Sequence, residues 1–155
     1  MLGRYGDGVV ALCRGLFPAF GDALELARTT FRPSEIRGRD SSPRSDDRRL
    51  HVDAFPSRPS HGRRILRVFN NVNPAGEPRV WNVGEDFESF ARRFLPRARR
   101  QWPLEARALD LLRVTRGRRG LYDHLMLQLH DGGKLDEDYQ RDAPKVRADF
   151  PPGTT

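Results

Sequence analysis

Cysteine is almost missing from this chain: Cys13 is the only one among 155 residues, so no disulfide can form within it. A single thiol suits a reducing compartment, and it sets aside the disulfide-stapled scaffolds of small secreted domains. Long apolar runs are missing too. The nearest, Val9 to Leu12, is hemmed in by Arg4, Asp7 and Arg14, and is neither a signal peptide nor a membrane span. Apolar residues make up only 37% of the chain against 32% charged, with a mean hydropathy of -0.71. That is thin for a self-sufficient core, although the length fits one domain. Lysine is scarce as well, since only Lys134 and Lys145 among the 28 cationic side chains are not arginine. Arginine favours planar, bidentate contacts with phosphate and carboxylate. The net charge of +7 therefore points to an anionic partner: nucleic acid, a membrane surface or an acidic small molecule. A solvated, arginine-rich surface explains the same composition.

What is present divides the chain at about residue 30. Val9, Leu12, Cys13, Leu16 and Phe17, then Ala23, Leu24 and Ala27, fall at helical spacing. They predict an N-terminal helical segment over residues 1–30, broken at Pro18 and Gly21. The following RPSEIRGRDSSPRSDDRR is loop by its Pro, Ser, Gly and charge. Leu50 to Phe55 reads as a short strand. Ile65 to Val72 and Arg79 to Val83, joined by Asn73-Pro74-Ala75-Gly76, read as a hairpin. From Glu85 the period changes. Phe87, Phe90, Ala91, Phe94 and Leu95 predict a helix ending at Pro96, and Leu104 to Val114 predicts another. LYDHLMLQLHDGG fits either period, and its polar continuation KLDEDYQ favours helix. Asp149-Phe150-Pro151-Pro152-Gly153 reads as a turn, after which Thr154 and Thr155 are residues of the kind that open a strand.

Within RRLHVDAFPS, His51 and Asp53 stand two residues apart. Residues i and i+2 of an extended segment project from one face, so imidazole and carboxylate would sit side by side. These are two of the three protein ligands of the facial triad that holds non-haem Fe(II). Two residues alone leave the choice open between a metal pair and two polar side chains of a surface strand.

RPSEIRGR, RLHVDAFPS, GRRILRVFNNVNPAGEPRVWNVGEDFE, YDHLMLQLHD and DFPPGTT, taken together and in this order, resemble the Kdo hydroxylase family. Its members are iron and 2-oxoglutarate dependent dioxygenases acting on the Kdo sugar of lipopolysaccharide. The resemblance runs from about Phe31 to Thr155. It implies an α+β chain: a partial double-stranded β-helix, or jelly-roll, over residues 31–155, with helices inserted at about 85–140 and later strands missing. It also implies Fe(II) at His51 and Asp53, 2-oxoglutarate as cosubstrate and Kdo-bearing lipid A as substrate. The third iron ligand and the residue clamping the cosubstrate's far carboxylate would follow the Pro-Pro-Gly turn, so no third ligand is expected within this chain. A portion of the enzyme, inactive by itself, is the expectation. The location implied is cytoplasmic, with peripheral contact at the inner membrane.

Two further groups belong to this reading. In RILRVFNNVN, Arg67 and Asn71 share a strand face and would bind the cosubstrate if that face lines the barrel interior; a solvent-facing hairpin is the alternative. Arg37, Arg39, Arg44, Arg48, Arg49, Arg58, Arg63 and Arg64 form a belt suited to an anionic lipid substrate, or a generic basic loop. Of the other histidines, His61 falls in a loop, while His124 and His130 lie on different faces of one helix. The rival reading is a non-catalytic basic module for anionic lipid or nucleic acid, built on RRFLPRARRQWPLEAR and LLRVTRGRRG. No nucleic-acid module accompanies those runs, which argues against nucleic acid as the partner.

Overall fold

The structure, a computed structural model, describes residues 2–31 and 41–155. The segment RPSEIRGRD, including the belt arginines Arg37 and Arg39, lies outside the described residues. The chain divides into two units, Met1–Gly38 and Arg39–Thr155.

In the first unit, helix α1 spans Leu2–Leu16 and a 3-10 turn spans Pro18–Ala23. Helix does not resume through Ala27 as its spacing predicted. Leu24 is already extended, at φ -76 and ψ 120, and Pro18 with Gly21 opens a tight turn that nothing propagates. The chain instead folds back on α1, where a Cβ at Gly6 would stand 3.2 Å from Leu26 Cδ2.

The second unit holds β1 (Arg79–Val83), α2 (Phe87–Phe94), α3 (Glu105–Leu111), α4 (Leu121–Leu135), α5 (Glu137–Asp142) and β2 (Val146–Phe150). Local chemistry explains the helix ends. Asp86 caps α2, accepting from the Ser89 amide at 3.0 Å, and Pro96 sits in a closing 3-10 turn at Leu95–Arg97. Asp136 leaves helical geometry at φ -83 and ψ 97, and its carboxylate caps α5 through the Tyr139 amide at 2.9 Å. That residue splits the long predicted helix in two. α3 stops at Leu111, short of Val114, because Arg113 turns left-handed at φ 55.

Leu50, Phe90, Phe94, Leu129 and Tyr139 form the core. Phe90 and Phe94 are each 3% exposed, and burying such a ring contributes about 1.5–3 kcal/mol. The Phe94 and Tyr139 rings meet edge to face at 5.1 Å. Gly133 lets α4 approach α2 closely, since a Cβ there would lie 2.5 Å from Phe90 Cζ.

The strands differ from expectation. β1 pairs antiparallel with β2, in register from Arg79 opposite Phe150 to Val83 opposite Val146, and not with Ile65–Val72. The Asn73–Gly76 turn does form, with Gly76 at φ 78. The segment before it is diverted by its own asparagines: Asn71 Oδ1 accepts from the Asn73 amide at 3.1 Å, and Asn73 Oδ1 from the Ala75 amide at 2.9 Å. Such side-chain bonds compete with a strand ladder. Leu50–Phe55 is likewise outside any ladder. Its pairing partner is a side chain: the Leu50 amide donates to Gln140 Oε1 at 2.9 Å, and Gln140 Nε2 donates to the Leu50 carbonyl at 2.8 Å. The described residues thus form a mixed helix and strand fold with one two-stranded sheet.

Candidate metal centre

The segment carrying His51 is pinned on both sides before the histidine is reached. Asp46 accepts from Arg48 through its amide at 2.9 Å and its guanidinium at 2.8 Å, and this pairing holds the Asp46 carboxyl below its ordinary range. Arg49 donates to the Lys134 carbonyl at 2.8 Å and pairs with Glu137 at 2.8 Å. Lys134, 1% exposed, donates to the Arg44 carbonyl at 3.0 Å. With Leu50 clamped by Gln140, the backbone entering the site has little freedom.

His51 itself has one nitrogen committed. Nδ1 lies 2.6 Å from the Arg49 carbonyl, an acceptor only, so Nδ1 carries the hydrogen and donates. Burial lowers the His51 pKa from its ordinary value, outweighing the Arg49 hydrogen bond and the Asp53 charge that raise it, and this favours the neutral ring. In that state Nε2 presents a lone pair. It faces Asp53 Oδ1 at 3.9 Å, so two acceptors confront each other with no hydrogen between them. A cation resolves that arrangement. An imidazole nitrogen and a carboxylate oxygen are donor types that suit Fe(II).

His130 packs edge-on against the His51 ring, centroids 5.3 Å apart, and its Nδ1 donates to Asp131 Oδ1 at 2.9 Å. Among the described residues no three His, Cys, Asp or Glu side chains are grouped to hold a metal.

Arg67 reaches the pair from the other side. Its Nε donates to Asp53 Oδ2 at 2.9 Å, and its guanidinium lies over the Phe55 ring at 5.5 Å. Asn71 is used differently: its Nδ2 donates to the Glu77 carbonyl at 3.0 Å and to the Phe150 carbonyl at 2.9 Å. Both amide hydrogens go to backbone, tying the turn to β2. A small cleft beside the pair is lined by Asp53, Phe55, Ser60, Ile65, Tyr122 and Met126.

Three of the belt arginines are paired within the protein. Arg44 pairs with Asp131 at 3.1 Å, Arg48 with Asp46 and Arg49 with Glu137. His61 turns left-handed at φ 54 in its loop. His124 is 1% exposed, its Nε2 bonded to the Arg99 carbonyl at 3.0 Å. Asp123 was not foreseen, yet its Oδ1 accepts from the Ser60 amide and hydroxyl and from the His61 amide, while Oδ2 accepts from Gly120. The glycine-x-x-aspartate spacing at a helix start is the local signal for the last of these contacts. Gln140 and Lys134 act across the fold and leave no local signal.

A family model for 3-deoxy-D-manno-oct-2-ulosonic acid (Kdo) hydroxylase matches residues 1–155. The chain belongs to this family. Among solved structures it is similar to the Kdo hydroxylase KdoO, a non-heme Fe(II) alpha-ketoglutarate dependent dioxygenase, in complex with alpha-ketoglutarate and Fe(III). The identity is 52% and the TM-score 0.95, over 98% of this chain and 52% of that one. The same enzyme in complex with cobalt(II) matches at 52% identity and TM-score 0.95, and its apo structure at 0.94. The chain thus spans about half the length of these solved relatives. No curated protein matches it.

Proposed function

We propose that the protein is an iron(II) and 2-oxoglutarate dependent dioxygenase that hydroxylates the Kdo sugar of lipid A. Its jelly-roll would include this chain as a part, and it would work in the cytoplasm against the inner membrane. The observation that carries the reading is the neutral His51 Nε2 facing the Asp53 carboxylate at 3.9 Å, in a chain of this family. His51 and Asp53 would supply two protein ligands, and the third is assigned to none of the described residues.

His51 and Asp53 would hold iron that supplies the reaction of 2-oxoglutarate with dioxygen, one oxygen atom going to succinate as carbon dioxide leaves and the other into a sugar C–H bond as a hydroxyl. The residues of this chain prepare that chemistry. The Arg49 carbonyl holds the His51 Nδ1 hydrogen at 2.6 Å, which fixes the tautomer that exposes Nε2. Arg67 orients Asp53 and is the cation nearest the pair. It is the residue we assign to the cosubstrate's carboxylate, because a guanidinium has further donors to offer beyond Nε. Asn71 has no amide hydrogen left for that role, and we assign it to holding the turn.

The test is succinate formation by the full-length protein supplied with Fe(II), 2-oxoglutarate and Kdo-bearing lipid A. His51→Ala and Asp53→Ala abolish turnover on this reading; activity retained in either removes the assignment.

A further inference from the structure

α3 faces the wrong way for a core helix. Leu104, Ala108, Leu111 and Leu112 fall at i, i+4, i+7 and i+8, one stripe of a helix, yet α3 buries none of its residues. Trp102 is 72% exposed, Leu104 65%, Leu111 85% and Leu112 72%, and Val114, just past the helix end, is exposed as well. The residues are held there by backbone bonds. The Leu112 amide donates to the Ala108 carbonyl at 2.9 Å and the Val114 amide to the Leu109 carbonyl at 2.9 Å, and the following Thr115 is 3% exposed.

Charge surrounds the stripe. Arg100, Arg107, Arg113, Arg116 and Arg118 are exposed, and none forms an ion pair among the described residues. The two acids of the segment, Glu105 and Asp110, do not balance them. Glu105 is taken by Arg99 at 2.7 Å, which lowers its pKa to about 2. A fixed apolar stripe with an indole at one end, ringed by unpaired guanidiniums, matches an anionic bilayer: acyl chains take the leucines, the interface takes the indole, and headgroup phosphates take the arginines. A nucleic acid would use the arginines and leave four aliphatic side chains in water.

We infer that the Trp102–Arg118 segment is a docking surface for anionic phospholipid membrane. This deepens the membrane-facing part of the function proposed above, while resting on residues outside the metal centre.

The experiment is co-sedimentation of the full-length protein with vesicles of phosphatidylethanolamine and phosphatidylglycerol, against vesicles of phosphatidylcholine, none containing Kdo. The protein should bind the anionic vesicles only, with Trp102 emission shifting to the blue and binding weakening as salt rises. Arg107→Gln with Arg113→Gln should lower partitioning about fivefold per arginine. Leu111→Ser with Leu112→Ser should remove most of it, and both double variants should melt like wild type. His51→Ala should bind as wild type does, which separates this surface from the reaction: failed turnover with intact binding leaves the inference standing. Equal binding to both vesicle types, or binding unchanged in the leucine variant, overturns it. So does a dimer that the leucine variant dissolves, nucleic-acid binding without vesicle binding, or a Trp102 that acrylamide cannot quench in the vesicle-free protein.

Discussion

Gly133→Ala measures how firmly the core behind His51 is built. The added methyl would stand 2.5 Å from Phe90 Cζ and 2.9 Å from Cε2, closer than real carbon contacts allow. Phe90 cannot swing away freely, with Phe94 at 4.8 Å and Tyr139 at 5.7 Å between ring centroids. Overpacking of this kind costs about 2–3 kcal/mol, and the gain from replacing glycine within a helix returns about 1. The net expectation is a loss of about 1–2 kcal/mol, a fall in Tm of roughly 3–6 °C for a unit of this size. Gly8→Ala in α1 is the control. Nothing lies within 4 Å of its Cβ position, so only the propensity gain of about 0.5–1 kcal/mol remains. Both are read by thermal and urea unfolding followed by far-UV circular dichroism. A Gly133→Ala protein as stable as wild type would refute the reasoning, because it would show that the Phe90 ring yields and that α2 does not hold α4 and Leu50 in place.

Three other outcomes follow from the same geometry. Gln140→Leu leaves the Leu50 amide and the Leu50 and Gly133 carbonyls without this partner and should cost about 2–4 kcal/mol in urea unfolding. In the metal-free protein, the lowered pKa of His51 means that the unfolded chain takes up its proton first. That contribution to stability is complete above pH 6.5 and is lost as the pH falls below it, so His51→Gln should flatten this limb of the stability curve. Arg67→Met should raise KM for 2-oxoglutarate more than it lowers kcat in succinate assays; an unchanged KM would return the cosubstrate role to another residue.

The helices were legible because their signals are local. Phe87, Phe90 and Phe94 repeat at helical spacing between Asp86 and Pro96, and the structure places α2 and its closing turn there. The doubtful LYDHLMLQLHDGG is helix, as its polar continuation implied. Strand pairing was not legible, because β1 finds its partner at Val146–Phe150, a charged segment exposed along nearly its whole length. The turn before β1 was read correctly while its first strand was not: the same asparagines that mark a turn also divert the backbone preceding it. Of the site, the placement of His51 beside Asp53 followed from their spacing, although the segment is held by the Gln140 amide in place of a neighbouring strand. The tautomer of His51 could not be read from sequence at all, since it depends on a backbone carbonyl.

Metal binding by the full-length protein, followed by titration calorimetry with Fe(II) under anaerobic conditions and with Co(II), tests the centre most directly. The account predicts one site whose affinity falls at least tenfold in both His51→Ala and Asp53→Ala and rises with pH as His51 deprotonates. Unaltered affinity in either variant would contradict it.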